Sequence, residues 1–188
     1  MRNELRIIGG EWRSRKLRFP DAQGLRPTPD RVRETLFNWL RFDVDGARCL
    51  NLYAGSGALG FEAASRGAAE VVQVEMNPVV CAALRQSCDL LKATQVQIIQ
   101  ADVIRYLKGP AQAYDLAFVD PPFRKDLLVP SCLLLEARGW LKPHAKVYFE
   151  IEHGVSLADL PPVWRLLRQG TAGEVHYFLY ERNPDLEP

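Results

Sequence analysis

Two kinds of hydrophobic pattern alternate along most of the chain. Short apolar runs, typical of buried strands, are followed by segments with apolar residues at every third or fourth position, typical of helices. This alternation favours a parallel sheet with helices on both faces and right-handed crossovers. The pattern predicts strands at 48–53, 70–75, 96–100, 115–119, 145–151, 164–169 and 174–180, and helices at 57–66, 77–92, 103–108 and within 127–139.

The end of the chain departs from this rhythm. Only residues 170–173 separate the last two predicted strands, whereas a parallel crossover needs about a dozen residues or more. We therefore expect these two strands to form an antiparallel hairpin at one edge of an otherwise parallel sheet.

The N-terminal segment has a pattern of its own. Residues 5–19 predict a short hairpin that turns at Gly9-Gly10. A loop at 20–29 leads to a predicted helix at 30–42, for which Thr28 is the expected N-cap and Pro29 the first helical residue. We divide the chain into a hairpin and loop, residues 1–28, and a larger domain, residues 29–188.

Composition limits the class of protein. A chain of 188 residues that is 47% hydrophobic can bury one sizeable core. It contains neither an apolar run of roughly 18 residues nor a signal-peptide pattern, so we expect a cytoplasmic protein without a membrane span. Its four cysteines form no C-x-x-C pair and its histidines are scattered, so we expect neither disulfides nor a metal site.

Charge is distributed unevenly. The net charge is +1, but residues 1–41 carry +5 and the remainder carries −4. A basic segment on an acidic body suggests a face that meets a polyanion, and Trp12 lies among the basic residues, where it could stack on a base. The alternative is an ordinary solvated surface.

A glycine-rich turn predicts a nucleotide-like ligand. Gly55, Gly57 and Gly60 give G-x-G-x-x-G between a predicted strand and a predicted helix. Glu75 ends the next strand, where a carboxylate could accept hydrogen bonds from both ribose hydroxyls. Asp102 follows the third strand, where it could accept a hydrogen bond from an adenine amino group or cap the next helix. These features suit NAD and S-adenosylmethionine equally, and the turn alone could be structural.

The most specific motif is Asp120-Pro121-Pro122-Phe123 at the end of another apolar strand. Consecutive prolines restrict the backbone, so the carbonyls of Asp120 and Pro121 project in fixed directions. A carboxylate and a carbonyl that accept both hydrogens of an exocyclic amino group would aim its lone pair at a methyl donor and stabilise developing charge. Phe123 offers a face on which a base can stack. The alternative is a structural turn with a buried Phe123.

Several blocks together resemble bacterial 16S rRNA guanine-N2 methyltransferases, the RsmD family, over nearly the whole chain. The blocks are Arg6-Ile7-Ile8-Gly9-Gly10, Arg15-Lys16-Leu17, RPTPDRVRETLFN at 26–38, YAGSGALGFEA at 53–63, SRGA at 65–68 and DPPF at 120–123. The resemblance implies an α/β, doubly wound, seven-stranded class I S-adenosylmethionine-dependent methyltransferase fold. This Rossmann-like fold would have an antiparallel last strand and an N-terminal β-hairpin extension.

The resemblance also implies a reaction and its residues. S-adenosylmethionine would donate a methyl group to the N2 amino group of a guanine in 16S rRNA, at rRNA position 966, within the small ribosomal subunit. Ribosomal proteins are further possible contacts, and we expect a monomer. The base would be held by Asp120, Pro121 and Phe123. The cofactor would be held by Tyr53, Gly55, Ser56, Gly57, Glu75, Asp102 and Thr28. The RNA would be held by Arg6, Trp12, Arg13, Arg15, Lys16, Arg26, Arg31 and Arg33.

Two positions depart from the family pattern, and other functions stay open. The family often has Phe where Tyr53 stands and Tyr where Phe123 stands, which puts any role of a phenolic hydroxyl at Phe123 in doubt. A DNA adenine methyltransferase would carry the same tetrapeptide. An NAD-dependent oxidoreductase would suit the glycine turn but leave the tetrapeptide unexplained. A non-catalytic RNA-binding protein with this fold is the third alternative.

Overall fold

The structure is a computed structural model that describes residues 3–186. Residues 1–2 and 187–188, at the outer ends of the two predicted regions 1–28 and 29–188, lie outside that range. The strands are β1 Glu4–Arg6, β2 Lys16–Arg18, β3 Arg48–Leu52, β4 Glu70–Glu75, β5 Val96–Gln100, β6 Tyr114–Val119, β7 Leu141–Glu152, β8 Trp164–Ala172 and β9 Val175–Arg182. The helices are α1 Asp30–Trp39, α2 Ala58–Ser65, α3 Pro78–Leu91, α4 Val103–Leu107 and α5 Leu128–Ala137.

One seven-stranded sheet organises the molecule, in the order β5-β4-β3-β6-β7-β9-β8. The pairs from β5 to β7 are parallel, and β9 is antiparallel to both of its neighbours. The predicted parallel sheet with a terminal antiparallel hairpin is therefore confirmed. Because β3 connects to β4 on one side and pairs with β6 on the other, a crevice forms at their carboxyl ends.

Alternating side chains of the strands divide the core into two layers. Cys49 belongs to the layer that also contains the buried faces of α1, α2 and α3, whereas Leu50 belongs to the layer beneath α4 and α5. Successive side chains of a strand point to opposite faces, so a strand buried on both sides has a continuous apolar run. This is why the central strands were predictable from their sequence.

The N-terminal hairpin forms, but not with the predicted turn. β1 and β2 pair in antiparallel register, and residues 7–15 form the connection instead of Gly9-Gly10. This connection packs on α2, where the two carboxylate oxygens of Glu62 accept the amide N–H groups of Ile8 and Gly9 at 3.0 Å each. Docking onto α2 satisfies backbone donors that a tight turn would have paired internally, so the longer loop is stable.

The start of α1 also differs from the prediction. Pro29 occupies the N-cap position, and no side chain caps the helix. Thr28 is buried, and its hydroxyl instead donates a hydrogen bond to Glu150 of β7 at 2.9 Å. The helix ends at Trp39 rather than at residue 42, because the chain turns at Leu40, whose carbonyl accepts the N–H of Asp43 at 2.8 Å.

The other helix boundaries follow the sequence closely. Asn77 caps α3 as predicted, since its side-chain oxygen accepts the N–H groups of Val79 and Val80 at 2.9 and 3.3 Å. β7 is longer than predicted and includes the polar segment before residue 145. Within residues 3–186, no helix is both long enough and apolar enough to cross a membrane.

Candidate functional site

The glycine turn between β3 and α2 lies at the crevice, and its glycines serve different purposes. Gly57 has a φ of +78°, and a Cβ there would lie 2.6 Å from side-chain atoms of Leu84 and Phe61. Gly55 has a φ of +55°, and a Cβ there would meet nothing closer than 3.8 Å. Gly57 is therefore required by packing, whereas Gly55 keeps backbone exposed at the crevice.

Glu75 is fixed beside this turn, at the end of β4. One carboxylate oxygen accepts the N–H of Gly55 at 2.9 Å, and the other accepts the N–H of Asn77 at 3.0 Å. Each oxygen keeps a further acceptor position, because a carboxylate has about four lone-pair sites in total. The arrangement therefore fits the two adjacent hydroxyls of a ribose.

Asp102 lies at the neighbouring strand end and fulfils the capping alternative. Its carboxylate accepts the N–H of Arg105 at 2.9 Å at the start of α4, which leaves its second oxygen for another donor. The N–H of Ala101 donates to the carbonyl of Glu75 at 3.0 Å, so the ends of β4 and β5 are held together.

Two apolar residues that the sequence analysis missed complete this edge. Met76, which follows Glu75 directly, and Val79, the second residue of α3, are large, exposed side chains. Exposed apolar surface next to carboxylates suits a nucleoside, whose base needs an apolar face and whose edge needs acceptors. The signal in the sequence was an apolar residue immediately after a strand-end acid, together with a second at the start of the next helix.

The crevice itself is narrow. A cavity of about 60 Å³ lies between the glycine turn, Asp120 and the segment 24–28, which lies over it. Ligand pockets usually measure about 300–1,000 Å³, so this cavity by itself is smaller than a nucleoside site. Two residues that line the cavity, Tyr53 and Ser56, are held by hydrogen bonds within the protein. The hydroxyl of Tyr53 bonds that of Ser131 at 2.8 Å, and the hydroxyl of Ser56 accepts the N–H of Ala58 at 3.4 Å.

The Asp120-Pro121-Pro122-Phe123 motif lies across the crevice, directly after β6. Phe123 remains 44% exposed, which disagrees with the alternative in which it is a buried structural residue. Pro121 is buried. Burial and the adjacent carboxylate of Glu150 raise the pKa of Asp120 well above its ordinary value. The structure therefore places the carboxyl group of Asp120 beside the glycine turn, and a rigid backbone leads from it to an exposed aromatic ring.

Glu150 is the other residue that the sequence analysis missed. Although it lies within the apolar run of β7, it is a buried acid beside Asp120. One of its oxygens accepts two hydrogen bonds, from the hydroxyl of Thr28 at 2.9 Å and from the hydroxyl of Tyr148 at 2.7 Å. Thr28, predicted to hold a cofactor, thus connects segment 24–28 to the acid pair. The signal in the sequence was an acid at a position of β7 that the pattern buries.

The basic residues divide into an exposed group and a buried group. Trp12 is only 6% exposed and packs in the core, so it offers no face to a base. Arg33 is 1% exposed, and its guanidinium donates to the carbonyls of Thr28 and Arg6 at 3.1 and 2.9 Å. Burial thus removes both residues from the predicted contact surface. The exposed members of the predicted set are Arg6, Arg13, Arg15, Lys16, Arg26 and Arg31.

A groove of about 440 Å³ connects the basic hairpin to the crevice. Arg6 and Lys16 line it on the hairpin side. Pro27 and Thr28 line both this groove and the crevice. An extended polyanion in the groove would therefore pass close to Asp120.

Glu75 gives a direct test of the cofactor site. We expect Glu75→Gln to weaken binding of S-adenosylhomocysteine about 10- to 100-fold, because it removes charge-assisted hydrogen bonds. Isothermal titration calorimetry on the folded variant measures this. Glu70→Gln, at the opposite end of the same strand, is the matched control. Equal affinity in both variants would exclude Glu75 from the site.

Comparison with known proteins places this chain among relatives of similar length. The family described as conserved hypothetical protein 95 matches residues 5–181. Ribosomal RNA small subunit methyltransferase D of Escherichia coli K12 is 46% identical over 179 residues, which are 95% of this chain and 90% of the relative. The Haemophilus influenzae protein of the same name is 42% identical over 184 residues, 96% and 95% of the two chains.

A solved structure agrees with both fold and family. The structure of a putative methyltransferase, YhhF, from E. coli superposes with a TM-score of 0.89 at 45% identity, covering 96% of this chain and 99% of that one. The sheet order, the antiparallel β9 and the glycine turn beside Glu75 define a class I S-adenosylmethionine-dependent methyltransferase fold. At this level of identity and coverage, the chain belongs to the family of ribosomal RNA small subunit methyltransferase D.

Proposed function

We propose that this protein transfers a methyl group from S-adenosylmethionine to the N2 amino group of a guanine in 16S rRNA. The observation that carries the proposal is the position of Asp120, which lines the same crevice as the glycine turn, with the exposed ring of Phe123 three residues further along the chain. The relatives are named for methylation of small-subunit ribosomal RNA, which is consistent with this chemistry.

The residues of the crevice fit the cofactor. Glu75 would accept the ribose hydroxyls, Met76 and Val79 would contact the adenine, and Asp102 would accept its amino group. When bound, S-adenosylmethionine supplies an electrophilic methyl group. The exposed backbone at Gly55 allows it to approach the turn closely.

The tetrapeptide would hold the base. The lone pair of an exocyclic amino group is delocalised into the ring, so the group is a weak nucleophile. Carboxyl and carbonyl oxygens of Asp120 and Pro121 that accept its hydrogens would draw the nitrogen toward a tetrahedral shape and stabilise positive charge on it. Stacking on Phe123 would fix the plane of the ring, and this positioning supplies much of the acceleration. No phenolic hydroxyl is needed for this role.

A guanine can reach this site only when it leaves its stack. Bases in folded RNA are exposed in loops or must be flipped out, and flipping costs a few kcal/mol. The groove between the hairpin and segment 27–30 is lined by Arg6 and Lys16 and also by the acids Glu4 and Asp30. Its two exposed cations would bind the adjacent phosphates and compensate for this cost. We propose residues 1–28 as the RNA-contact region, the assembled small subunit as substrate, rRNA position 966 as target, a cytoplasmic location and a monomeric enzyme.

The hairpin should control the salt dependence of RNA binding. We expect Arg13→Ala combined with Lys16→Ala to reduce the slope of log Kobs against log salt concentration by about 2, because two phosphate contacts are lost. Filter binding to 16S rRNA over a salt series measures this. Arg168→Ala, on the edge strand β8, should leave the slope unchanged. An unchanged slope in the double variant would exclude these side chains from the RNA contact.

Transfer of labelled methyl groups to three acceptors tests the proposed function. The acceptors are unmodified small ribosomal subunits, deproteinised 16S rRNA and duplex DNA, and the product nucleoside is then identified. We expect N2-methylguanosine from the subunits. Methyladenine in DNA would show that the enzyme methylates DNA adenine instead of rRNA guanine. Tight binding of NADH without binding of S-adenosylhomocysteine would favour an oxidoreductase. Absence of label with cofactor binding intact would favour a binding protein.

A further inference from the structure

Glu150 is a buried acid that forms a pair with Asp120, and it has no role in the mechanism described so far. The two carboxyl groups lie within hydrogen-bonding contact, at the carboxyl end of β6 and on adjacent β7. Glu150 is buried, while Asp120 lines the crevice. The pair therefore connects the reaction site to the interior of the protein.

Two adjacent buried carboxyl groups cannot both be ionised at low cost, so they share one proton. The surroundings indicate where that proton resides. The hydroxyls of Thr28, from the loop before α1, and of Tyr148, from β7, both donate to the same oxygen of Glu150. Glu150 accepts both donors there, whereas burial and the adjacent Glu150 raise the pKa of Asp120, so the shared proton resides on Asp120. Tyr177, from β9, lies behind Tyr148 and adds a further titratable group on this side.

We propose that Glu150 is a positioning residue that acts through Asp120 as the second member of a proton relay. This inference rests on the proposed methyl transfer. The side-chain carboxyl group of Asp120 donates its O–H to Glu150, and the C=O oxygen of the same carboxyl group accepts from the substrate amino group. Glu150, held by Thr28 and Tyr148, fixes that orientation. The pair carries one negative charge before the reaction.

The relay balances the reaction in atoms and charge. The amino nitrogen gains a methyl group while the bond from that methyl to sulfur breaks, and the electron pair stays on sulfur. The nitrogen then loses one proton to the C=O oxygen of the Asp120 side-chain carboxyl group, and the proton that this group carried before passes to Glu150. The positive charge of the sulfonium group and the negative charge of the acid pair have cancelled. The thioether, the methylated amino group and the acid pair are all uncharged. Deprotonation of the pair by solvent restores the starting state.

Glu150→Gln tests the relay, because glutamine keeps the acceptor oxygen for Thr28 and Tyr148 but cannot take a proton. We expect kcat to fall about 10²-fold, within the usual range of general acid–base effects, while the KM for RNA stays unchanged. Independently of activity, carboxyl NMR of the apo protein should show the pKa of Asp120 lowered by about 1–3 units, since a neighbouring negative charge is lost.

Two further variants separate the relay from a structural role. Tyr148→Phe keeps the carboxylate pair and removes one donor, so we expect a loss in kcat of less than about 10-fold. Glu152→Gln changes an acid two residues further along β7 and should match the wild type. A loss of kcat that is equal in Glu150→Gln and Tyr148→Phe, with the titration of Asp120 unmoved in both, would show a scaffold only and overturn the relay.

Failure of the relay and failure of the proposed function give different results. If the wild type methylates guanine and Glu150→Gln does so equally fast, the relay is wrong and the proposed function stands. If the wild type transfers no methyl group to any nucleic acid, the proposed function fails and the relay fails with it, even where NMR shows that the pair shares a proton.

Discussion

Replacing Asp120 by alanine should abolish methyl transfer while leaving the protein folded and able to bind its ligands. We expect kcat to fall by at least about 10²–10³-fold, the usual loss when a group that stabilises transition-state charge is removed. Asp120 forms none of the hydrogen bonds that hold Glu75, so affinity for S-adenosylhomocysteine should be unchanged. Single-turnover methylation and calorimetry on the same preparation measure both quantities.

The control is an aspartate far from the crevice. Asp89 is exposed on α3, so Asp89→Ala should retain full activity. If Asp120→Ala methylates guanine at the wild-type rate, the carboxyl group is not part of the mechanism, and positioning by Pro121 and Phe123 would have to suffice. If both affinity and activity are lost, the variant has disturbed the cofactor site.

The stability of the Asp120→Ala variant should depend on pH in a defined direction. Burial and Glu150 raise the pKa of Asp120 above its unfolded value of about 3.9. A group of this kind stabilises the fold fully below the unfolded pKa, and this contribution is lost as the pH rises through the folded pKa. The melting temperature of the variant relative to the wild type should therefore increase from acid toward neutral and alkaline pH. Such an exchange of stability for activity is typical of functional sites.

Features determined by neighbouring residues were predictable from the sequence. The apolar runs of β3 and β6 identify buried parallel strands, and the turn residues that follow them identify the crevice. Asn77 with Pro78 marks the start of α3, because capping depends on residues within one helical turn. The candidate site residues near Gly55 and Asp120 could be proposed from the sequence for the same reason.

Features determined by distant residues were not predictable. Trp12 and Arg33 are basic-segment residues whose burial depends on α2 and on segment 28–30, which no local pattern contains. Thr28 was predicted to cap α1, but its hydroxyl donates to Glu150 instead. The two residues are 122 positions apart, so the sequence alone could not predict this hydrogen bond. Glu150 itself was overlooked because an acid inside an apolar run acquires its meaning from its neighbours in the fold.

Loss of Glu62 should destabilise the protein strongly. Its buried carboxylate accepts the N–H groups of Ile8 and Gly9 at 3.0 Å each and the Nε–H of Arg66 at 2.9 Å. A guanidinium nitrogen of Arg33, which is also buried, lies 3.7 Å from a carboxylate oxygen of Glu62. We expect Glu62→Ala to lower the free energy of unfolding by about 3–5 kcal/mol, because it leaves buried backbone donors without their acceptor and removes one of the two carboxylates beside the buried Arg33. Urea denaturation measures this loss.

The loss at Glu62 would also reach the proposed RNA-contact region. Since Glu62 is the acceptor that holds residues 8–9 on α2, its removal should loosen the connection 7–15 and make it sensitive to protease before the rest unfolds. Glu34→Ala, an exposed acid on α1, should change stability by no more than about 0.5 kcal/mol. An unfolding free energy for Glu62→Ala equal to that of Glu34→Ala would mean that the hairpin is held by its apolar contacts alone, those of Ile7, Trp12 and Leu17.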